Sequence, residues 1–418
     1  MAEDGGPHPR LRAVEVFPAV VDGREVVCLR DPSGLTDAVL AVPRPAVAIL
    51  ALLDGTRSIR DVQADIMRRH GALVPSDQLA ALVETLDRQL FLESARYEAE
   101  RARVAEAFRT SAVRPAAHAG RAYAGEAESL AAQLEAFFAH PDGPGAPGPP
   151  RAPAVRGLVA PHIDFHRGGP AYAWAYKAMA EACDADCVVV IGTAHAGLDG
   201  HPFAATRKAY DTPFGPLAVD EEVLAALARR APGDLFAAEL AHRGEHSIEF
   251  QAVCLRYLAT RVWHREVRIV PLLASFVHEC LARGREPGGE PAVAGVLEAL
   301  RATMAAVPRR YCLVAGADLA HVGPRFGDPE PVSPTRLARV EAEDRALLDL
   351  VTAVDPGGFV TAVAADGDSR RICGLSPIYA VLAALPAGRG RLLRYGQWPD
   401  PQGTVSFASV VFEEEARS

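Results

Sequence analysis

Residues 187–195 read CVVVIGTAH. The β-branched residues at 188–191 predict a buried strand, and His195 follows in the loop after it. Further apolar runs predict strands at 155–160, 267–273, 311–316, 391–396 and 404–412, and helical patterns lie at 170–182, 220–230, 291–306, 335–352 and 375–385. Strands that alternate with helices predict an α/β domain, with a central, mostly parallel sheet flanked by helices.

Histidines follow three of these predicted strands. His162 comes after the strand at 155–160, His195 after the strand quoted above, and His321 after the strand at 311–316. Ligands of open α/β sheets bind beyond the carboxyl ends of the strands. Imidazole is the commonest metal ligand and a natural proton shuttle. One such histidine is more often structural, but three in equivalent positions predict a shared site.

Other candidates lie in loops and at helix starts. His246 and Glu249, in the sequence EHSIE, are three residues apart and share a helix face, although a capping role at Ser247 explains the motif equally well. Cys373 precedes the helix at 375–385, where a thiolate is stabilised, but it also fits an inert buried thiol. Asp164 is either a hydrogen-bond partner of His162 or a surface residue.

The first 95 residues have a different pattern. A hairpin signal at Asp22-Gly23 is followed by helical patterns at 45–53, 58–70 and 77–90 and by a closing strand at 91–93. This order predicts a small winged-helix-like module over residues 1–95. A charged, alanine-rich connecting helix is predicted over 96–111, and the α/β domain over 112–414.

Composition excludes several classes of function. The chain has 418 residues with 53 acidic and 44 basic side chains, a net charge of −9 that disfavours nucleic-acid and anionic-membrane binding. Arginines in the 57–70 helix keep DNA binding as a disfavoured alternative. No apolar run approaches the roughly 20 residues of a membrane span, and the N-terminus lacks signal-peptide features. With seven cysteines in no dense framework, we expect a cytoplasmic protein.

The motifs of the larger domain resemble a known family. They are the opening RPAAHAGRAY at 114–123, APH at 160–162, GTAH at 192–195, EHSIE at 245–249, ADLAH at 317–321 and ICG at 372–374. Their order and spacing over 112–414 resemble the Memo family, whose bacterial members are called AmmeMemoRadiSam system protein B. That family is similar in fold to class III extradiol dioxygenases. The first 95 residues resemble the PqqD-like peptide-binding winged helix.

The resemblance implies a metal site and roles for its neighbours. His162 and His195 would be metal ligands, with Cys373 where the dioxygenases use a glutamate. His321 would be the acid/base, beside Asp318. The resemblance also implies that His246 and Glu249 line the pocket, and we assign His246 a catalytic role there. Asp164 departs from the family pattern and is expected near the mouth of the pocket. A thiolate ligand favours iron(II), with copper or zinc as alternatives, over magnesium or calcium.

These features favour a non-haem metal-dependent redox or oxygen-using enzyme that acts on a small molecule or a peptide. The alternative is a non-catalytic binding protein of a radical SAM-linked modification system. Its partners would be a radical SAM protein and an AMMECR-like protein, with a peptide at the N-terminal module. A hydrolase is disfavoured because no G-x-S-x-G elbow is present. A dinucleotide site is disfavoured because the one G-x-G-x-x-G, at 143–148, lies in a proline-rich loop.

Overall fold

The computed structural model describes residues 8–31, 33–152, 154–386 and 388–414. The chain divides between Thr110 and Ser111 into two compact units. The elements of the first unit are β1 (Glu15–Val21), β2 (Arg24–Arg30), β3 (Val39–Pro43), α1 (Ala46–Leu50), α2 (Ile59–His70), α3 (Ser76–Arg88) and α4 (Ala95–Thr110).

The first unit is a three-stranded antiparallel sheet followed by helices. Strands β1 and β2 form the predicted hairpin, and Asp22 and Gly23 both have positive φ, as a two-residue turn of this kind requires. Ser58 caps α2 in a reciprocal capping box with Asp61. Strand β3 was not predicted. The predicted closing strand at 91–93 is reduced to one isolated antiparallel bridge, between Leu92 and Leu11.

The second unit contains ten strands and nine α-helices within its described residues. Its first elements are β4 (Val113–Arg114), α5 (Ala127–Ala139), β5 (Val155–Ala160), α6 (Phe165–Ala182), β6 (Cys187–Thr193), β7 (Phe203–Ala205), β8 (Ala209–Tyr210), α7 (Glu221–Arg230) and α8 (His246–Tyr257). The remaining elements are β9 (Arg268–Ala274), α9 (Val277–Ala282), α10 (Pro291–Ala306), β10 (Tyr311–Gly316), β11 (Asp318–Val322), α11 (Pro334–Thr352), α12 (Pro356–Asp366), α13 (Leu375–Ala384), β12 (Arg389–Trp398) and β13 (Thr404–Glu413).

Eight of these strands form one mixed sheet, in the order β11-β13-β5-β10-β6-β9-β7, with β12 paired to β13. The four central strands β5, β10, β6 and β9 are parallel, and the strands outside them pair antiparallel. Strand β6 is buried along its whole length, as its β-branched sequence predicts. The predicted α/β domain with a central, mostly parallel sheet is therefore confirmed. Among the described residues, no helix has both the length and the apolar character needed to cross a membrane.

The first two turns of α8 lie against the carboxyl ends of the central strands. Ser247 Oγ donates to the carbonyl of Thr193 at 2.8 Å, and Gln251 Nε2 donates to the carbonyl of Pro161 at 2.8 Å. A Cβ on Gly316 would lie only 2.4 Å from the Ser247 carbonyl oxygen. The helix can therefore approach β10 this closely only because residue 316 is glycine.

This contact gives a stability prediction. Replacing Gly316 with alanine is expected to lower the free energy of unfolding by about 1–3 kcal/mol, because the new methyl group meets backbone that cannot move aside. Urea denaturation of the full chain measures it. Gly289→Ala is the matched control, since a Cβ there meets no atom within 4 Å. Equal stability of both variants would show that α8 does not depend on this close approach.

Candidate metal centre

The predicted ligands converge at the carboxyl edge of the sheet. His162 follows β5, His195 follows β6, and Cys373 precedes α13. One ligand atom from each lies within 4.8 Å of the other two. Cys373 Sγ is 3.2 Å from His162 Nε2, and the ring centroids of His162 and His195 are 4.9 Å apart. Ligand atoms of a tetrahedral site are separated by about 3.5 Å, given metal–ligand bonds of about 2.0–2.3 Å. The three side chains are therefore a candidate ligand set for a single transition-metal ion.

Both imidazoles are held by the ring nitrogen that faces away from the cluster. His162 Nδ1 donates to the carbonyl of Gly316 at 2.9 Å, and the other ring nitrogen, Nε2, faces Cys373. His195 Nδ1 lies 3.1 Å from both carboxylate oxygens of Glu245. Such outer partners fix the tautomer and ring orientation of histidine ligands. The arrangement is therefore already oriented for metal binding.

Glu245 is a functional residue that the sequence interpretation missed. Its carboxylate accepts hydrogen bonds from the backbone N–H groups of His195 at 2.9 Å and Ser247 at 3.0 Å. The same side chain therefore caps α8 and orients His195. Burial disfavours its charge, but the imidazoles of His195 and His246 keep its pKa well below the usual value. The only signal in the sequence was its place at the start of EHSIE, just before a helical pattern.

The electrostatics of the cluster favour a thiolate and a nearby positive charge. Burial by itself would raise the pKa of Cys373. The imidazoles of His162 and His195 outweigh this effect and lower the pKa to about 7. Burial opposes a charged His195, yet Glu245 and Cys373 raise its pKa well above the usual value. The negative groups that favour an imidazolium at this position also favour a bound cation. Cys373 is itself oriented through its carbonyl, which accepts the Thr193 hydroxyl at 3.1 Å.

Asp318 and His321 lie next to this cluster on β11. The Asp318 carboxylate accepts the His162 backbone N–H at 2.9 Å, and burial raises its pKa to about 6. The His321 residue lies within a strand rather than in the predicted loop, because β11 pairs with β13. Its Nδ1 donates to the carbonyl of Leu319 at 3.1 Å, and burial lowers its pKa. Burial therefore favours the neutral imidazole of His321.

His246 also reaches the cluster. Its ring stacks on His195 with centroids 4.7 Å apart and an interplanar angle of 15°, and it lies 5.2 Å from the ring of His162. Burial lowers the pKa of His246 well below its usual value, so it is neutral. The structure thus brings together five of the histidines and acids predicted for the site: His162, His195, His246, His321 and Asp318.

Glu249 and Asp164 have different surroundings. Glu249 is fully buried, and its carboxylate binds Arg114, the Tyr123 hydroxyl and the His118 backbone N–H. It therefore supports α8 from within the core, although a pocket position was predicted. Asp164 stands just before α6 and is half-buried in an ion pair with Arg167.

The predicted opening motif also contributes to the site. Arg114 is fully buried and donates to the carbonyls of His242 at 2.8 Å and Glu245 at 2.7 Å, as well as to Glu249. The ring of His118 lies 5.7 Å from His246, and its Nε2 is 3.0 Å from the carbonyl of Gly244. Sequence reasoning gave neither residue a role, because no local pattern shows that this motif packs beside α8.

The thiol predicts a pH dependence in metal-free protein. The rate at which iodoacetamide alkylates Cys373 should increase with pH and reach half its maximum near pH 7, because the pKa of the thiol is lowered to about 7. An unperturbed cysteine has its midpoint near pH 8.5, roughly. Mass spectrometry of the labelled peptide measures the rate. The other six cysteines are buried, and Cys373→Ser provides the blank. A midpoint at or above that of a free thiol would contradict the proposed effect of the two imidazoles.

A protein family and several known proteins match large parts of this chain. Residues 114–411 match the family described as Memo-like protein. A MEMO1 family protein of Methanopyrus kandleri is 31% identical, with 72% of this chain and 98% of that relative covered. One from Thermus thermophilus is 30% identical, with 81% and 93% covered. One from Aquifex aeolicus is 26% identical, with 92% and 95% covered.

The matches also bear on the two units. Almost all of the Methanopyrus relative matches less than three-quarters of this chain, whereas the Aquifex match extends over nearly all of it. The matched family region begins at Arg114, close to the break after Thr110, and it contains every residue of the candidate site. On these grounds the chain belongs to the Memo-like protein family.

Proposed function

We propose that the second unit binds one transition-metal ion through His162, His195 and Cys373, and that this ion is the centre of its function. The observation that carries the proposal is the convergence of three ligand atoms within 4.8 Å, with both imidazoles oriented by outer partners. Three protein ligands leave a coordination position open, as in catalytic rather than structural metal sites.

The ligand chemistry selects among metals. Two imidazoles and one thiolate favour iron(II), copper or zinc over magnesium and calcium, which prefer oxygen ligands. Iron(II) is the metal that we propose, with copper and zinc as the alternatives. A redox-active ion at an open position would supply electron-transfer or oxygen-dependent chemistry, so we propose a non-haem metal-dependent redox enzyme.

The residues around the cluster support proton transfer. His321 and His246 are both kept neutral by burial, and His321 has its Nδ1 committed to a backbone carbonyl. A neutral imidazole with an available lone pair can accept a proton from a bound substrate and later return it. We assign this acid/base role to His321, with the buried carboxyl group of Asp318 beside it. The substrate would be a small molecule or a peptide segment that reaches the half-exposed side of the cluster.

Metal analysis tests the proposal. Full-length protein purified without oxygen should contain close to one iron, copper or zinc ion per chain, measured by mass spectrometry of the metal. His162→Ala, His195→Ala and Cys373→Ser should each lose most of this metal, because every change removes one of the three ligands.

Two control variants separate ligands from neighbours. Cys280→Ser changes a buried thiol that lies outside the cluster, and it should retain the metal. His321→Ala should also retain it, because that residue is proposed to handle protons. Loss of metal from His321→Ala would make His321 a ligand. Metal-free wild-type protein would refute the proposal, and so would full metal content in all three cluster variants.

A further inference from the structure

We propose that the buried ion pair between Arg370 and Asp344 positions Cys373 relative to β11, and so sets the geometry of the metal centre. The inference rests on the proposed function, because it assigns to residues outside the cluster the task of holding one of its ligands. Neither residue touches the three predicted ligands. Both are buried, with exposed fractions of 4% for Arg370 and 0% for Asp344.

The segment that carries Cys373 is bonded along β11. The His321 backbone N–H donates to the carbonyl of Arg370 at 2.7 Å, and the Gly374 N–H donates to the carbonyl of Asp318 at 3.1 Å. A Cβ on Gly374 would lie 2.4 Å from that same carbonyl oxygen, so the approach is close. Residues 370–374 are therefore fixed at both ends to the strand that carries Asp318 and His321, with Cys373 between the two attachments.

Asp344, on α11, connects this segment to β11 by a second route. One carboxylate oxygen accepts Arg370 Nη1 at 2.6 Å, and the other accepts the hydroxyls of Tyr395 at 2.9 Å and Ser406 at 2.5 Å. The Ser406 hydroxyl in turn accepts the backbone N–H of Ala320 at 2.9 Å. The chain of contacts runs from Arg370 through Asp344 and Ser406 to the residue beside His321.

Stability alone does not explain this arrangement. A buried ion pair is often no more stabilising than apolar residues of similar volume, because both charges lose hydration. Glu343 and Asp366 add carboxylate oxygens at 3.6 and 3.7 Å from Arg370 Nε, so the guanidinium is surrounded by negative charge. These contacts limit Arg370 to one position, and its own carbonyl is the group that holds His321. Precise placement of the backbone is what the pair contributes.

Cobalt(II) binding to the metal-free full chain provides the test. The wild type should show a sulfur-to-cobalt charge-transfer band from Cys373. Arg370→Met should weaken the cobalt affinity by about 10–100-fold, the range found for outer partners of metal ligands, and should shift or weaken the band. Arg370→Lys should restore part of both. Arg309→Met removes another arginine of this unit, paired with Asp220 and Glu222, and should leave affinity and band unchanged.

A milder pair of variants keeps the test informative if Arg370→Met does not fold. Ser406 and Ser409 are both fully buried on β13, but Ser409 donates to the carbonyl of Ala171 instead. Ser406→Ala should alter the band and weaken cobalt binding, and Ser409→Ala should do neither. Folded Arg370 and Ser406 variants with wild-type affinity and band would overturn the inference while the metal site stands. A wild type without the band would overturn the proposed function and this inference with it.

Discussion

The close approach of α8 to the carboxyl ends of the central strands is the constraint on which the rest of the site depends. Hydrogen bonds from Ser247 and Gln251 attach its first two turns to the ends of β6 and β5, and Gly316 leaves room for its backbone. Because the helix begins there, Glu245 reaches the imidazole of His195 and His246 stacks on the same ring. One packing contact therefore fixes the partner of one predicted ligand and the position of a neighbouring imidazole.

The second consequence is electrostatic. Two carboxylates, Glu245 and Asp318, lie buried around a thiol and several imidazoles, and each is held by backbone N–H groups. Their negative charge, together with the lowered pKa of Cys373, favours a cation at the centre of the cluster. The buried pair of Arg114 and Glu249 also supports α8, and Arg114 donates to the carbonyl of Glu245.

Much of this arrangement could be predicted from the sequence, and the remainder could not, for physical reasons. The β-branched run at 188–191 predicted a buried strand, and the rule that ligands bind beyond strand ends predicted that His162 and His195 meet. The roles of Glu245 and Arg114 depend on how α8 packs in the fold. The local pattern of apolar and polar residues does not predict this packing. His321 was expected in a loop, but pairing between β11 and β13 draws it into a strand. The contact between Asp344 and Arg370 could likewise not be predicted, because nothing in the sequences of the two segments indicates that they pack together.

The central claim is that His162, His195 and Cys373 hold one metal ion. Anomalous X-ray scattering from crystals of the full chain grown without oxygen, with data on both sides of the iron, copper and zinc edges, tests it most directly. One anomalous peak is expected, at about 2.0–2.3 Å from both imidazoles and the thiolate. A peak with other ligands, or no peak between these three side chains in crystals supplied with the metals, would contradict it.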